Sequence, residues 1–197
     1  MNVRSCIAAL GLCLLPLCSQ AGVIYEWQPL NHETPRGISL ALEFDEDTVR
    51  SGAFSFAITE EYDGEENHAA GGLLGLRYAF PDAYEPMTYS ARSGFGSGFG
   101  TLEMEVRFER GGFLSGFIYA NDSHHHFMMN SDGRVFTVLD ANSDEGMPSA
   151  DCGWTVGIDC SGATGQLKRA DIPEPGSLAL LGAGLLAAAG MRRKAAR

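Results

Sequence analysis

A two-residue alternation of apolar and polar side chains is the feature that most restricts how this chain can fold. In residues 102–108, Leu, Met, Val and Phe alternate with Glu and Arg, and residues 38–44 and 54–58 repeat the pattern. Because successive side chains of a β-strand point to opposite faces, each segment predicts a strand with one buried and one solvated face. The same reasoning predicts further strands at residues 23–27, 73–80, 113–119, 125–129 and 135–140.

Turn-forming pairs separate the predicted strands and define the expected architecture. Asp63-Gly64 and Gly111-Gly112 favour turns, and residues 130–133 are typical of a hairpin. Many short strands at this spacing, with no long helical pattern between the terminal segments, predict an all-β fold. We therefore expect a single β-sandwich of jelly-roll type over residues 22–170, with the glycine-rich residues 94–100 as a flexible loop.

The charge of the central region excludes one class of partner. Residues 22–172 contain 9 Lys and Arg against 24 Asp and Glu, a net charge of −15, whereas the whole chain carries −11. So acidic a region repels phosphate backbones, and we expect no nucleic-acid partner.

Residues 1–21 have the three parts of a signal peptide. Arg4 supplies a positive start, residues 6–17 are apolar, and small residues precede position 22. Twelve helical residues rise only about 18 Å, too little to cross a hydrocarbon core of about 30 Å. We expect signal peptidase to cut after Ala21. Lipidation at Cys18 is the weaker alternative, because the residue before it, Leu17, is large.

Two cysteines, Cys152 and Cys160, remain after such a cleavage. In an oxidising compartment this pair predicts one structural disulfide. The residues between them must then turn back, because a disulfide holds its two Cα atoms within about 6.8 Å. A metal-binding pair and a redox pair are the alternatives, although no C-x-x-C spacing and no adjacent histidine favours either.

Two clusters of potential metal ligands occur in the central region. His124 and His126, together with Asp122, could bind a transition metal if they share a strand face, and an exposed histidine-rich loop is the alternative. An acidic run could bind calcium through its carboxylates, although it lacks the spacing of an EF-hand loop and is also typical of a solvated loop. The acidic run consists of Glu60, Glu61, Asp63, Glu65 and Glu66. Beyond this calcium possibility we expect no cofactor.

The sequence contains no recognisable catalytic motif, so we expect no enzymatic activity. Glu103 and Glu105 could imitate the carboxylate pair of a glycosidase, but their place on the outer face of a strand favours solvation. Several aromatic residues could stack on sugar rings or could equally lie in the core. They are Trp27, Tyr78, Tyr84, Tyr89 and Trp154.

The last 27 residues combine a proline motif, an apolar segment and a basic end. The apolar segment would form about 21 Å of helix, and the basic cluster is expected to stop transfer and stay in the cytoplasm. In chain order the parts are Pro173, Glu174 and Pro175, then residues 178–191, then Arg192, Arg193 and Lys194 within the basic tail 192–197.

This order of parts resembles the PEP-CTERM sorting signal of Gram-negative bacteria, here over residues 171–197. The resemblance implies that exosortase, a membrane protease-transpeptidase, recognises and removes the tail. It also implies a link to exopolysaccharide and to biofilm or floc matrices, and it leaves the central domain undefined.

The resemblance and the signal peptide together predict export across the inner membrane of a Gram-negative bacterium. We expect a transmembrane helix that holds the protein briefly at the membrane before it reaches the cell surface or the extracellular space. The expected role is structural or adhesive, with exopolysaccharide as a partner. The alternatives are a carbohydrate-binding module, which exposed aromatic residues along a groove would favour, and a polysaccharide-acting enzyme.

Overall fold

The computed structural model describes residues 22–31, 35–60, 71–81, 83, 85–143 and 160–170. Each strand predicted from the sequence has a counterpart, and the all-β prediction is confirmed. The elements are β1 (Val23–Pro29), β2 (Ser39–Phe44), α1 (Glu46–Ser51), β3 (Ala53–Glu60), β4 (Leu73–Ala79), β5 (Met87–Ser90), β6 (Gly94–Phe95), β7 (Gly100–Glu109), β8 (Phe113–Asp122), β9 (His125–Asp132), β10 (Val135–Ser143) and β11 (Thr164–Arg169).

The strands form one antiparallel sheet that closes on itself. Its order is β3-β7-β8-β9-β10-β11-β1-β2-β4-β5-β6, and an additional pairing joins β8 to β11. That pairing is at Phe113 and Lys168, so β8, β9, β10 and β11 make a closed four-stranded ring. The other strands extend from both sides of this ring. The jelly-roll sandwich is not confirmed, because β7 to β11 are neighbours in chain order instead of being distributed over two separate sheets.

The two extensions of the sheet pack face to face around one core. Phe44 on β2 meets Phe54 on β3 and Phe108 on β7, with ring centroids 5.6 and 5.1 Å apart. Tyr78 on β4 lies 4.4 Å from Phe127 on β9, again between centroids. Edge and tilted aromatic pairs of this kind add to the stabilisation from buried apolar area. The core is thus made where β2 and β4 cover β3, β7 and β9.

The alternation on β7 has the predicted orientation. Leu102, Met104 and Val106 are buried in the core, whereas Glu103 and Glu105 are exposed on the opposite face. This strand pairs with β3 at residues 100–107 on one side and with β8 over its whole length on the other, so it lies one strand in from the β3 edge of the sheet.

One short helix, α1, was not expected from the strand pattern. Asp45 caps it by accepting a hydrogen bond from the Thr48 backbone N–H at 2.6 Å, and Gly52 ends it in the left-handed conformation at φ 86°. Both residue types are typical of these positions. None of its side chains is fully buried, although Val49 packs partly buried against the core, and the helix connects β2 to β3.

Residues 94–100, expected to form a flexible loop, have strand residues at both ends and a turn between them. The segment contains β6 and the first residue of β7, and Phe95 is buried with its ring 5.4 Å from that of Tyr89. Gly100 is needed in this arrangement because a Cβ there would lie 2.6 Å from the Asn121 carbonyl oxygen. The burial of one phenylalanine therefore determines the path of the glycine-rich segment.

The hairpin expected at residues 130–133 is present, with its turn slightly further along the chain. Strand β9 continues to Asp132, which pairs with Val135, and Gly133 adopts φ 68° between them. A positive φ at this position is typical of tight two-residue hairpin turns. Across the described residues, no helix has the length and apolar character needed to span a membrane.

Candidate functional site

Many of the residues singled out in the sequence lie outside the part of the chain that the structure describes. These are the signal peptide with Ala21, the acidic residues Glu61, Asp63, Glu65 and Glu66, the aromatic residues Tyr84 and Trp154, Cys152, and the C-terminal Pro173, Glu174, Pro175, Arg192, Arg193 and Lys194. Glu60 is the last residue of β3. The calcium site and the signal-peptide cleavage therefore stay predictions.

Cys160 lies at the edge of the described core, next to the end of β10. Its backbone N–H donates to the Ala141 carbonyl oxygen at 3.1 Å, and its side chain is buried. Cys152 lies outside the described residues, so the disulfide between Cys152 and Cys160 stays a prediction.

The histidine cluster differs from the arrangement that the sequence suggested. Strand β9 begins at His125, so His124 lies in the preceding turn, where its backbone N–H donates to Asp122 Oδ1 at 2.9 Å. His126 instead contacts the neighbouring strand, with its Nε2 3.0 Å from Asp140 Oδ2. Within the described ranges, no three His, Cys, Asp or Glu side chains come together as metal ligands. The structure therefore does not bring Asp122, His124 and His126 together as a metal site.

Asp122 organises the turn between β8 and β9. Its Oδ1 also accepts the backbone N–H of His125 at 2.7 Å and lies 3.4 Å from that residue's Nδ1, with both side chains almost fully buried. Burial raises the pKa of the Asp122 carboxyl, but the hydrogen bonds from His125 and His124 outweigh this and hold the pKa below its usual value. The sequence suggested a metal ligand at Asp122, and the structure gives it this turn-forming role.

Removal of the Asp122 charge should destabilise the protein in a pH-dependent way. The folded-state pKa lies below the ordinary ~3.9, so the stabilisation is complete above that pH and is lost as the pH falls through the lowered value. We expect Asp122→Asn to lower the unfolding free energy by about 1–2 kcal/mol at pH 7 and by clearly less at pH 3. Urea unfolding at both pH values measures this, with exposed Asp47→Asn as the control. An equal loss at both pH values would contradict the role of the charge.

A cluster of buried polar atoms lies between β4, β9 and β10. It contains the Tyr78 hydroxyl, His125 Nε2 and Asp140 Oδ1, which are buried and have no hydrogen-bond partner among the described residues. The other ring nitrogen of His125, Nδ1, faces Asp122 at 3.4 Å. Burial raises the pKa of Tyr78 strongly, and the charge of Asp140 adds to this effect. Tyr78 is therefore a neutral core residue at any physiological pH.

The aromatic residues proposed for sugar contact are mostly internal. Tyr78 and Tyr89 belong to the buried core, so they form no surface platform. Trp27 is partly buried against that core, and a Cβ at Gly165 would collide with its indole ring. These residues are core components, which was the other interpretation that the sequence left open.

Two other aromatic residues lie on the outer face of β8 and were missed in the sequence. Phe117 is directly opposite Glu105, and Tyr119 is directly opposite Glu103 on β7. Both rings are half-buried, whereas both glutamates are exposed. Because opposite side chains of an antiparallel pair are about 4.5–5.5 Å apart at Cβ, each ring has a carboxylate beside it. We call Glu103, Glu105, Phe117 and Tyr119 the outer ladder.

A groove with a volume of about 750 Å³ runs over one end of the outer ladder. Its lining includes Ser55 on β3, Glu105 and Arg107 on β7, Phe117 on β8 and Asn130 on β9. Asn130 pairs with Phe117 and Ser55 pairs with Glu105, so these side chains cross the sheet in one row. Small and polar residues therefore leave room above the Phe117 ring.

The floor of this groove depends on a glycine. Gly116 adopts φ 127°, and a Cβ there would collide with the Glu105 carbonyl oxygen. Its backbone N–H donates to the Ser131 hydroxyl, and neighbouring Ser115 donates to Glu109 Oε1 at 2.7 Å. Gly116 lines the groove, and its lack of a side chain permits this close approach of β8 to the β7 backbone.

Comparison with known proteins identifies the C-terminal segment. Residues 171–194 match the family model described as the PEP-CTERM protein-sorting motif. No curated protein and no solved structure shows a significant match to the chain. The match contains the Pro173-Glu174-Pro175 motif and the basic cluster, in agreement with the resemblance found in the sequence. The chain carries a PEP-CTERM protein-sorting motif, which indicates an exported protein that is sorted by exosortase.

Proposed function

We propose that the exported domain has a structural or adhesive role in an extracellular polysaccharide matrix of a Gram-negative bacterium. It acts without a cofactor and without catalysis, and signal peptidase and exosortase are its processing enzymes. The sorting motif at residues 171–194 supports the route to the surface. The acidic central region, with its net charge of −15, supports solubility in a hydrated matrix.

We propose that the domain performs this structural or adhesive role by binding polysaccharide. Carbohydrate binding is also the alternative function that the sequence suggested. The observation that carries it is the groove over Phe117, with Glu105, Arg107 and Asn130 around the ring. Sugar sites combine an apolar surface with a few polar groups that fix orientation, as in other small-molecule sites. The half-buried ring offers the apolar surface, and the carboxylate, guanidinium and amide offer donors and acceptors for hydroxyl groups.

Binding of the secreted protein to insoluble exopolysaccharide tests this proposal. We expect the wild-type protein to sediment with the polymer, and Phe117→Ala/Tyr119→Ala to lose most of this binding, about tenfold or more. The matched control is Leu30→Ala/Leu139→Ala, which removes two exposed apolar side chains elsewhere and should bind normally. Thermal unfolding of each variant verifies that the fold is intact. Equal binding by the folded double variant, or none by the wild type, would overturn the proposal.

A further inference from the structure

The outer ladder repeats one chemical unit twice along the sheet. Glu105 with Phe117 and Glu103 with Tyr119 are successive cross-strand pairs on the same outer face. The Tyr119 hydroxyl accepts a hydrogen bond from Asn121 Nδ2 at 3.3 Å, which orients the second ring. Residues two apart on a strand are separated by about 6.6 Å, so the two units can contact neighbouring parts of one extended ligand.

The glutamates of the ladder are available to a ligand. Both are exposed, and neither has a salt-bridge partner within the described ranges, although Arg107 follows them on the same strand face. On the β3 side their cross-strand neighbours are the small residues Ser55 and Ala57, which leave the carboxylates uncovered. Each unit therefore presents a free negative charge next to an aromatic ring.

We propose that the outer ladder selects amine-bearing polysaccharide, that is, hexosamine polymer with free amino groups, over neutral or uronate polymer. An ammonium group is attracted to the face of an aromatic ring and forms charge-assisted hydrogen bonds with a carboxylate. The net charge of −15 over residues 22–172 attracts a cationic polymer and repels a polyuronate. This inference rests on the proposed polysaccharide contact and adds the ligand class.

The groove charge is consistent with this selection. Among its charged lining residues, Glu105 and Glu109 outnumber Arg107, so an anionic sugar would enter against a net negative field. Glu109 is already engaged by the Ser115 hydroxyl. The charges that distinguish cationic from neutral or anionic sugars are then those of Glu105 and Glu103.

Three soluble probes of similar length test the selection: a glucosamine oligomer, the matching N-acetylglucosamine oligomer, and a polyuronate oligomer. Isothermal titration with the secreted protein should give the strongest binding for glucosamine, weakened by added salt because exposed charges are screened. Glu103→Gln/Glu105→Gln should lose about five- to tenfold in glucosamine affinity and change N-acetylglucosamine affinity less than twofold. The matched control, Glu26→Gln/Glu85→Gln, removes two exposed carboxylates outside the ladder and should retain the preference.

The outcomes separate this inference from the proposed function. Preference for glucosamine that disappears in the ladder variant and survives in the control supports the inference. Equal or stronger binding of the neutral or uronate oligomer overturns the inference and leaves polysaccharide contact standing. A preference that both double variants lose equally shows a general charge effect and overturns the ladder assignment. Binding of none of the three oligomers, together with no sedimentation on exopolysaccharide, overturns both.

Discussion

Phe44→Ala is expected to lower the free energy of unfolding by about 3–5 kcal/mol, a large share of the stability of a domain of this size. Phe44 is 0% exposed, and its ring contacts those of Tyr25, Phe54 and Phe108. Truncation leaves a cavity where the two extensions of the sheet meet, so the loss includes both transfer and cavity contributions. Urea unfolding of the secreted protein measures the effect.

The control for this prediction is Leu139→Ala. Leu139 is the extra residue at the irregularity in β10 between Val138 and Asp140, and it is 44% exposed. Its truncation should change stability by no more than about 0.5 kcal/mol. A loss below about 1 kcal/mol for Phe44→Ala would contradict the packing of β2 against β3 and β7.

Replacement of Pro173, Glu174 and Pro175 by alanine is expected to block tail removal almost completely. These residues lie in the matched sorting motif, before the apolar residues 178–191 and the basic cluster. Export should continue, because the signal peptide is separate. We expect the uncut variant to collect in the inner membrane of a host that contains an exosortase, held by its apolar segment and positive end.

Membrane fractionation with immunoblotting measures this result. Wild-type protein should be found mainly outside the inner membrane, and the triple variant mainly within it. A host without exosortase is the control, and there the wild-type protein should behave like the variant. Normal release of the triple variant would show that the proline motif is not the processing signal.

The strands and their faces could be predicted from the sequence because alternation is a local property. Residues 102–108 show it plainly, and β7 has the expected inner and outer sides. The order of strands could not be predicted in this way. Strand β3 pairs with β7 and not with its chain neighbour β2, and β8 pairs with β11 to close the ring. Strand partners depend on which apolar faces have complementary shapes and pack together. The alternation of apolar and polar residues does not contain this information.

The sequence pattern did not single out Phe117 and Tyr119 for a related reason. Tyr78 and Tyr89 looked as suitable for ligand contact as any aromatic residue, because composition does not distinguish an inner from an outer side chain. The signal was present in residues 113–119, where the inward positions Leu114 and Ile118 imply that Phe117 points outward. Only the register then shows that Phe117 lies opposite Glu105. The C-terminal motif was predictable in full because its recognition depends on contiguous sequence.

The intact mass of wild-type protein recovered outside the cell, from a host with an exosortase, tests the sorting account most directly. The account predicts a polypeptide that lacks the residues after about Pro175, including the apolar segment and the basic tail. A mass that shows extracellular protein still ending at Arg197 would contradict it.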